Sequence, residues 1–443
     1  MIRLSIDNFK SVKSIRDFEL RPLTMLAGIN SSGKTSLIQA LLLIKQTIES
    51  NSKDMLYLDG PFVVAENLID LIYQKKKSNT LSFAFEFSRD ELSENYSHYL
   101  PEGRELETLK VSISFYINGK INIETFRIDL NCGDNASDYI EIKKYKTIDR
   151  YNISYSNDKL LDSKKIKSSE KFGIDFDNFF PNIIKGNELF YLDIAKTLKQ
   201  DMTNALSKIY YIGPQREKPV LAISYDKLSN ANRWVGIDGH YTRFVFDNKR
   251  DESIEGYNKT LTELCDHWLC KEMNLAKKVS FTKDRSQLYR IIITNNDNLE
   301  VDLRQMGFGL SQILPIIVQG FLTPIGGTLI VEDPDVHMHP KVQGDLVDIF
   351  IDLTKHGRKV LIETHSDHIV TRLRRRIAEK EISSEEYNVS FVENNEDASV
   401  YSKVSITGNG AFDKELPEGF LDAQQNDLQG ILEARINSRK NNG

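Results

Sequence analysis

The chain has 443 residues, of which 40% are hydrophobic and 28% are charged, a balance typical of globular domains. Its formal net charge of −6 argues against a globally basic nucleic-acid binder, although a local basic surface remains compatible with it. No apolar run approaches the ~20 residues of a membrane span, and the N-terminus lacks a signal-peptide core. Three cysteines, Cys132, Cys265 and Cys270, form neither a disulfide framework nor a zinc spacing. We expect a cytoplasmic protein of about two or three domains, or one large domain with insertions.

A glycine-rich loop follows the second predicted strand near the N-terminus. Residues 28–35 read G-I-N-S-S-G-K-T and fit the phosphate-binding pattern G-x-x-x-x-G-K-[ST]. Its glycines let the backbone wrap around phosphates, so that N–H groups and the following helix N-terminus face the anion. Lys34 is predicted to reach the β- and γ-phosphates of ATP, and Thr35 to bind Mg²⁺. The candidate phosphate-binding residues are Gly28, Asn30, Ser31, Ser32, Gly33, Lys34, Thr35 and Ser36.

The next part of the chain changes from helical spacing to strict alternation. Segments 81–87, 111–117 and 121–128 alternate with a period of two and are separated by polar turns, which predicts antiparallel strands. Residues 156–205 are rich in Lys, Asp, Asn and Ser and are predicted to be an inserted helical or loop segment. No heptad pattern persists long enough for an extended coiled coil.

The middle of the chain returns to buried elements. Residues 209–212 are predicted to form a buried strand, and a helix is expected over about 257–274. Two further strands are expected near 278–282 and 288–294.

Beyond residue 300, apolar helices and strands alternate. Helices are predicted through 313–321 and 342–353, and continuous apolar strands at 328–331 and 360–362. Two strands joined by one helix form a right-handed βαβ unit, so the carboxyl ends of both strands open on the same sheet edge. Ligands bind at such edges in α/β folds.

Two carboxylates stand at the end of the first of these strands. A P-loop needs an acidic partner for Mg²⁺ and a group that positions the attacking water. We assign Glu332 to the metal and Asp333 to water activation. The alternative is a pair of strand-end carboxylates that merely face solvent.

Three further motifs carry a family resemblance. Residues 307–312 (GFGLSQ), 329–340 (LIVEDPDVHMHP) and 363–366 (ETHS), together with the P-loop, resemble the ABC-type ATPases of the SMC, RecF and OLD group. More narrowly, the chain resembles bacterial single-chain "AAA" ATPases of that group, which are common in defence settings. The resemblance covers residues 1–50, about 209–219, and 300 to 443.

The resemblance implies an α/β fold, a P-loop NTPase with an ABC/SMC-like ATPase head, a β-rich first lobe and an inserted polar segment. The expected divisions are a first lobe at 1–155, an insertion and connecting segment at 156–300, and a second lobe at 301–443. The second lobe would contain the signature, the acidic strand, the switch and a C-terminal cap.

The resemblance also implies that two copies sandwich two ATP molecules. The P-loop, Glu332 and Asp333 of one copy would face Gly309, Ser311 and the adjacent Gln312 of the other, with the 311–321 helix start meeting the γ-phosphate. His365 would sense or stabilise the γ-phosphate, and residues 335–339 would cross the dimer seam. Gln215 is a candidate for the glutamine loop. Arg216 is a candidate fixed charge near the site, with a structural salt bridge as the alternative.

Two positions depart from the family pattern. Relatives often carry Glu or Gln where Asp333 stands, and Glu where Asp335 stands. Because aspartate is one methylene shorter, Asp333 must approach the water more closely or act through a second water. We expect slow basal hydrolysis, with ATP acting more as a clamp than as fuel.

The histidines and arginines of this region allow other interpretations. His337, His339, His365, Asp367 and His368 could form a zinc or manganese hydrolase site, although the ABC interpretation explains three of these histidines without a transition metal. The basic run 372–376 could be a solvated helix face or a contact with a phosphate backbone. Proteins of the SMC/RecF group often hold DNA on the ATPase dimer, so DNA is a candidate partner.

The C-terminal segment bears on the effector. About sixty residues follow the helix after the switch, too few for an ordinary nuclease domain of the Toprim type plus linkers. Strands are expected near 388–393 and 399–406, and residues 416–422 resemble a C-terminal cap. Any nuclease activity would then reside in a partner protein.

The expected function is therefore a regulatory or sensor ATPase that uses ATP and Mg²⁺. It would form a homodimer through ATP, or a higher oligomer, and act with an effector, a nuclease by expectation, in defence against phage or foreign DNA, without a membrane partner. The first alternative is a RecF-like DNA-repair clamp, and the second is a nucleotide-gated scaffold with negligible hydrolysis.

Overall fold

A computed structural model of the protein divides the chain into two units. The first unit contains residues 1–20, 35–209 and 395–400, and the second contains 21–34, 210–394 and 401 onward, so a boundary falls between Lys34 and Thr35. The structure describes residues 1–92, 96–133, 137–161, 170–186, 189–216, 233–283, 289–295, 297–303, 308–395, 398–416 and 430–431.

The elements of the described residues are as follows. The strands are β1 (Arg3–Phe9), β2 (Val12–Glu19), β3 (Leu23–Ala27), β4 (Leu81–Ser88), β5 (Leu106–Asn118), β6 (Lys120–Cys132), β7 (Ser137–Lys144), β8 (Tyr151–Tyr155), β9 (Gly173–Asp177), β10 (Phe180–Lys185), β11 (Leu189–Tyr191), β12 (Ile209–Ile212), β13 (Ser253–Ile254), β14 (Lys259–Thr260), β15 (Lys278–Lys283), β16 (Tyr289–Thr294), β17 (Glu300–Asp302), β18 (Thr328–Glu332), β19 (Lys359–Thr364), β20 (Tyr387–Asn395) and β21 (Ala398–Val404). The α-helices are α1 (Lys34–Glu49), α2 (Asp193–Ser207), α3 (Thr242–Lys249), α4 (Leu261–Asp266), α5 (Phe308–Leu322), α6 (Pro340–Lys355) and α7 (Asp367–Ala378), and a π-helix covers His267–Glu272.

The first unit is built on a seven-stranded antiparallel sheet. Its order is β2-β1-β4-β5-β6-β7-β8. The three predicted alternating segments are confirmed as β4, β5 and β6, and the last two are longer than predicted. Along β5, Leu109, Val111 and Ile113 are buried while the residues between them are partly exposed, which is the period-two pattern of a sheet with one packed face.

The polar insertion contains a second, small sheet. The segment 156–205 was expected to be helix or loop, but it includes an antiparallel sheet of order β11-β10-β9 before α2 begins. Polar residues on its exposed positions hide the pattern, since in β10 only Phe180, Pro181 and Ile184 are buried. Asn178 makes the turn between β9 and β10 with a φ of 54°, a conformation that asparagine tolerates.

The second unit contains a six-stranded sheet that carries the nucleotide motifs. Its order is β12-β18-β19-β3-β20-β21. The pairs β18–β19, β19–β3 and β3–β20 are parallel, as expected for strands with continuous apolar sequence. The expected strands near 278–282 and 288–294 are confirmed as the antiparallel pair β15–β16. The helix expected over 257–274 begins later, at Leu261, where Thr260 and Glu263 form a capping box.

Helix α5 differs from its expected position. The resemblance placed its start at Ser311, but it begins at Phe308, so Gly309 and Ser311 lie in its first turn. Gly307 of the signature, and nearly all of the expected C-terminal cap, lie outside the described residues. Pro315 stands inside the helix, and Gly239 packs against its ring: a Cβ there would lie 2.6 Å from Pro315 Cγ, at a φ of +76°. None of the helices in the described part of the chain is long and apolar enough to span a bilayer.

Candidate functional site

Three parallel strands of the second unit end at the same edge of the sheet. Glu332 at the end of β18 stands opposite Glu363 of β19, and Thr364 of β19 stands opposite Ala27 of β3. The segments that follow these strands are the phosphate loop, the Asp333 turn and the His365 turn. The sheet register therefore brings together groups from three distant parts of the sequence, as predicted from the βαβ arrangement.

Gly28 begins the phosphate loop in close contact with the backbone of β20. A Cβ at this position would lie 2.2 Å from the carbonyl oxygen of Val392, so no larger residue fits without movement. Lys34 is only 2% exposed, and its Nζ donates to the carbonyl oxygens of Gly28 at 3.1 Å and of Ile29 at 2.9 Å. The Lys34 side chain thus folds back onto the carbonyl oxygens at the start of its own loop.

The other predicted phosphate-loop residues differ in exposure. Asn30 and Ser31 are exposed, and Ser31 has a φ of 61°. Ser32 is 1% exposed, and its Oγ has no hydrogen-bond partner among the described residues. The carbonyl oxygen of Gly33 accepts a 2.6 Å hydrogen bond from Tyr401. A buried hydroxyl is expected to have a hydrogen-bond partner. The Ser32 hydroxyl is therefore available to donate to a bound anion.

Thr35 and Ser36, the two predicted phosphate-binding residues after Lys34, lie in the first turn of helix α1. Thr35 is partly exposed. Ser36 is 6% exposed, and its Oγ lies 2.9 Å from Ser11 Oγ, which also accepts a hydrogen bond from Ser399. The Ser36 side chain is thus engaged within the first unit, which leaves its backbone N–H as the group available to an anion.

Asp333 occupies a constrained position immediately after β18. Its φ is 44°, in the left-handed region, and its N–H donates to the carbonyl oxygen of Glu363 at 2.9 Å. Its Oδ1 is buried and has no hydrogen-bond partner among the described residues. Burial raises the pKa of Asp333 and Asp335 adds to this, while His365, Lys34 and Arg216 oppose it. The result is a carboxylate of increased basicity that is aimed into the site.

His365 lies between the phosphate-loop lysine and this carboxylate. Its Nδ1 is 3.5 Å from Lys34 Nζ and its Nε2 is 3.8 Å from Asp333 Oδ1. Because an ammonium group only donates, this arrangement favours the tautomer that accepts at Nδ1 and carries the proton at Nε2. Burial and the charge of Lys34 lower the pKa of His365, which favours the neutral ring.

Glu363 is a site carboxylate that the sequence assignment missed. It is 5% exposed, and its Oε1 lies 4.0 Å from Lys34 Nζ. Burial lowers the pKa of Lys34, whereas the charges of Glu363, Asp333 and Asp335 raise it, Glu363 most strongly. The signal was present in the sequence, since Glu363 ends a strand two residues before the switch histidine, as Glu332 ends its neighbour.

Glu332 is 4% exposed at the end of β18. Burial raises the pKa of the Tyr211 hydroxyl on β12, and the charge of Glu332 and a hydrogen bond with it raise this pKa further. The neutral phenol therefore persists beside the predicted metal-binding carboxylate.

Arg216 is buried behind the site. It is 5% exposed and donates to Gln312 Oε1 at 3.2 Å and to the carbonyl oxygens of Gly213, Glu332 and Asp333 at 3.1, 3.0 and 2.6 Å. Gln312 returns a 2.8 Å hydrogen bond from Nε2 to the Arg216 carbonyl oxygen. The fixed charge predicted at this position is thus present, held by carbonyl and amide oxygens. Gln215, in contrast, has an exposed side chain.

The loop after Asp333 is tied to the switch strand. Thr364 Oγ1 donates to Asp335 Oδ1 at 2.6 Å. Gln343 Nε2 donates to the carbonyl oxygens of Asp335 at 3.3 Å and Met338 at 2.9 Å, and its Oε1 accepts from Ser366 Oγ. These contacts fix the 335–339 loop relative to His365, its neighbour at the sheet edge.

The metal-hydrolase alternative finds no support in the described residues. They contain no group of three or more His, Cys, Asp or Glu side chains placed to hold a metal ion. His339 instead caps α6 by accepting at Nδ1 from the N–H of Lys341. Mg²⁺ prefers hydroxyl, carboxylate and phosphate oxygens, and the assignment of Thr35 and Glu332 as its protein ligands stays a prediction.

The arginines of the 372–376 run are engaged with neighbours in the second unit. Arg372 pairs with Asp345 at 3.1 Å and Asp348 at 2.5 Å, and Arg376 pairs with Asp348 at 2.6 Å. Arg376 and Arg375 both pair with Glu379, and Arg374 donates to the Gly410 carbonyl oxygen. The run is therefore neither a plain solvated face nor an unoccupied cationic surface.

The sequence of the chain matches one protein family over most of its length. The family is described as "AAA domain, putative AbiEii toxin, Type IV TA system", and the match covers residues 23–371. The chain belongs to this AAA-domain family. Family and architecture together make it an α/β P-loop NTPase, as predicted. No curated protein matches the chain significantly.

Solved structures similar to this AAA-domain chain include three SMC heads, at low identity. An SMC head bound to the C-terminal winged-helix domain of ScpA aligns over 91% of this chain and 97% of its own, with 12% identity and a TM-score of 0.45. The SMC head domain from Thermotoga maritima covers 91% and 99%, with 12% identity and a TM-score of 0.37. A Pyrococcus furiosus SMC head bound to the C-terminal domain of ScpA covers 91% and 96%, with 11% identity and a TM-score of 0.42. Likeness at this level carries no inference about activity or partners.

Proposed function

We propose that the protein is an ABC-type ATPase whose nucleotide site is closed by a second copy of the chain. The observation that carries this proposal is the array at the sheet edge, in which His365 stands 3.5 Å from Lys34 and 3.8 Å from Asp333. These are the three groups that a γ-phosphate and an attacking water would meet. In this proposal Gly309 and Ser311, in the first turn of α5, act on the nucleotide of the partner copy.

The residues divide the chemistry among themselves. The loop from Gly28 to Gly33 binds phosphates through its N–H groups, and Lys34 exchanges its carbonyl partners for phosphate oxygens. Thr35 and Glu332 would hold Mg²⁺, which would supply positive charge to the phosphates. Asp333 takes a proton from the attacking water, and the Nε2–H of His365 faces the developing charge.

Hydrolysis is proposed to be slow. Asp333 is shorter than the glutamate common in the resembling families, and its backbone is fixed by the hydrogen bond to Glu363. A short carboxylate on a fixed backbone cannot extend towards the water. ATP would then hold two copies together for a long time relative to a single turnover.

We further propose that this long-lived dimer regulates an effector, a nuclease by expectation, in defence against phage or foreign DNA. The support is the family description, which names a toxin and a type IV toxin–antitoxin system. DNA is a further candidate partner through the resemblance to the SMC/RecF group.

The decisive experiment measures assembly and turnover together. Light scattering with ATP and Mg²⁺ should show a dimer for the wild type and for Asp333→Ala, and a monomer for Lys34→Ala. A dimer that forms equally well without nucleotide would overturn the sandwich model. Rapid single-turnover hydrolysis by the purified chain would overturn slow hydrolysis.

Purification of Asp333→Ala from its native cells with ATP then tests the effector. The trapped dimer should retain a specific partner that Lys34→Ala does not retain. If neither protein nor nucleic acid is enriched over Lys34→Ala, the effector proposal fails. ATP-dependent binding to DNA ends by the chain alone would favour the repair clamp instead. Full biological function in Asp333→Ala, with loss in Lys34→Ala, would favour the nucleotide-gated scaffold.

A further inference from the structure

A single arginine joins the signature helix to the turn that carries Asp333. Arg216 and Gln312 are 96 residues apart in the sequence and exchange two hydrogen bonds, from Arg216 Nε to Gln312 Oε1 and from Gln312 Nε2 to the Arg216 carbonyl oxygen. The other end of the guanidinium donates to the carbonyl oxygens of Glu332 and Asp333. One rigid planar group thus bridges α5 and the end of β18.

The bridge is buried and cannot exchange its partners for water at low cost. Arg216 is 5% exposed and Gln312 is 2% exposed. Burial lowers the pKa of Arg216 to about 10, so the guanidinium stays charged at neutral pH. A buried cation that loses one of these acceptors is strongly penalised, so a shift of Gln312 must be followed by a shift of Arg216 or of the carbonyl oxygens it holds.

The contact reaches the carboxylate proposed to activate water. Asp333 is held on both sides of its backbone, with its N–H bonded to Glu363 and its carbonyl oxygen bonded to Arg216 at 2.6 Å. Its φ of 44° leaves little conformational freedom between these two anchors. Movement of Arg216 is therefore transmitted to the direction in which the Asp333 side chain points.

We propose that Arg216 is a positioning residue that couples the signature helix to Asp333 within one copy of the chain. This inference rests on the proposed function, in which Ser311 and Gly309 of each copy close the site of the other. Nucleotide bound at one site then sets the position of α5 in the opposite copy, and through Gln312 and Arg216 it sets the carboxylate of that copy's own site. The two ATP sites of the dimer become coupled.

The same unit offers matched controls. Arg358 is 2% exposed and donates to four backbone carbonyl oxygens, those of Glu255, Phe321, Thr323 and His356. Gln319 is fully buried on α5, two turns after Gln312, and bonds the N–H of Val235 and the carbonyl oxygen of Arg233. Both have the burial and the hydrogen bonds of their counterparts without a contact to the Asp333 turn.

The experiment compares Arg216→Lys, Gln312→Met and the double variant with Arg358→Lys and Gln319→Met. Lysine keeps the charge of Arg216, but its three donors sit on one nitrogen and cannot span the separate acceptors that Nε, Nη1 and Nη2 of the guanidinium reach. Methionine keeps the shape of Gln312 without its polar atoms. For each protein we would measure melting temperature, affinity for a non-hydrolysable ATP analogue, kcat, KM and the Hill coefficient of hydrolysis.

We expect Arg216→Lys and Gln312→Met each to lower kcat about ten- to a hundred-fold through misplacement of the reacting groups, with analogue affinity retained. Their Hill coefficients should fall to about 1, from a wild-type value between 1 and 2. Because both variants break the same link, their effects on kcat should be far less than additive in the double variant. Arg358→Lys and Gln319→Met should lower the melting temperature and leave kcat and the Hill coefficient unchanged.

Equal losses of kcat in the test and control variants would show that Arg216 acts only through stability and would overturn the inference. Retained cooperativity in Arg216→Lys, or additive effects in the double variant, would also overturn it. A wild-type chain that neither dimerises with ATP nor hydrolyses it would instead overturn the proposed function, so the two failures are distinguishable.

Discussion

The second unit contains two clusters in which acidic and basic side chains lie close together, and the pKa shifts in the two clusters run in opposite directions. At the sheet edge, burial raises the pKa of Asp333 and lowers that of Lys34 and Arg216, so each group is shifted towards its neutral form. On the face between α6 and α7, pairing with Asp348 and Glu379 raises the pKa of Arg376, and that of Glu379 is lowered. Charges that satisfy one another contribute to the fold, whereas the buried groups of the sheet edge have shifted pKa values of the kind that are common at functional sites.

The largest effect should come from removing the cation of the sheet edge. Lys34→Ala deletes the group proposed to bind the β- and γ-phosphates, so we expect ATP affinity to become unmeasurable by calorimetry and hydrolysis to fall by at least about a hundred-fold. Lys45→Met is the matched control. Like Lys34, Lys45 is buried, at 5% exposed, and burial lowers its pKa, but it pairs with Glu49. Equal losses in both variants would contradict the special role of Lys34.

Removal of the buried carboxylate should separate turnover from binding. Asp333→Asn keeps the shape but not the base, and we expect kcat to fall about a hundred-fold while ATP affinity is retained. Asp333→Glu should instead increase kcat, because the longer side chain reaches the water from the same fixed backbone. Single-turnover hydrolysis and analogue binding measure the two quantities, and a slower Asp333→Glu would contradict the proposed reason for slow hydrolysis.

The local motifs of this edge could be predicted from sequence, because each is a short run at the end of an apolar strand. Lys34 and Asp333 were assigned in this way and His365 through the family resemblance, and the parallel register then explains why the three meet. Glu363 was missed because it was treated as part of a motif and not as a strand-end carboxylate opposite Glu332.

Other features depend on contacts that spacing does not encode. The pairing of Arg216 with Gln312 joins residues 96 apart, and no local pattern marks them as neighbours. The small β9–β11 sheet was missed because polar residues fill its exposed positions. Helix α5 begins three residues before its expected start, since Phe308 and Gly309 already lie in its first turn.

The interaction between His365 and Asp333 predicts a change in pH dependence. Hydrolysis needs ionised Asp333, whose raised pKa places the acid limb of kcat above that of an ordinary aspartate at about pH 4. The His365 ring is neutral at neutral pH and gains its charge as the pH falls, and that charge lowers the pKa of Asp333. His365→Gln should therefore raise this pKa further and move the limb to higher pH. We also expect kcat to fall about tenfold through the lost hydrogen-bond donor. A pH–rate profile of both proteins tests this, and an acid limb that stays in place or moves to lower pH would contradict the expected contact.

The smallest effect should come from the paired face. Arg376→Ala removes one of the two arginine partners of Asp348, and we expect a loss of about 1 kcal/mol in the free energy of unfolding, with ATP affinity and kcat unchanged. Arg375→Ala is the control, because the Arg375 side chain is 61% exposed and pairs with Glu379 alone among the described residues, so its stability should match the wild type. Urea titrations measure the free energy of unfolding of both variants. A large loss of ATPase activity in Arg376→Ala would contradict the idea that the paired face contributes only to stability.

The proline inside α5 has a consequence for how this helix can respond. Pro315 has no N–H to donate to the carbonyl oxygen of Ser311, one turn earlier. The first turn is therefore joined to the rest of the helix by one backbone hydrogen bond fewer. Gly239 packs against the proline ring and keeps the remainder of the helix in place. The first turn of α5, which carries Gly309, Ser311 and Gln312, can therefore tilt towards a bound ligand. The remainder of the helix stays packed in the core.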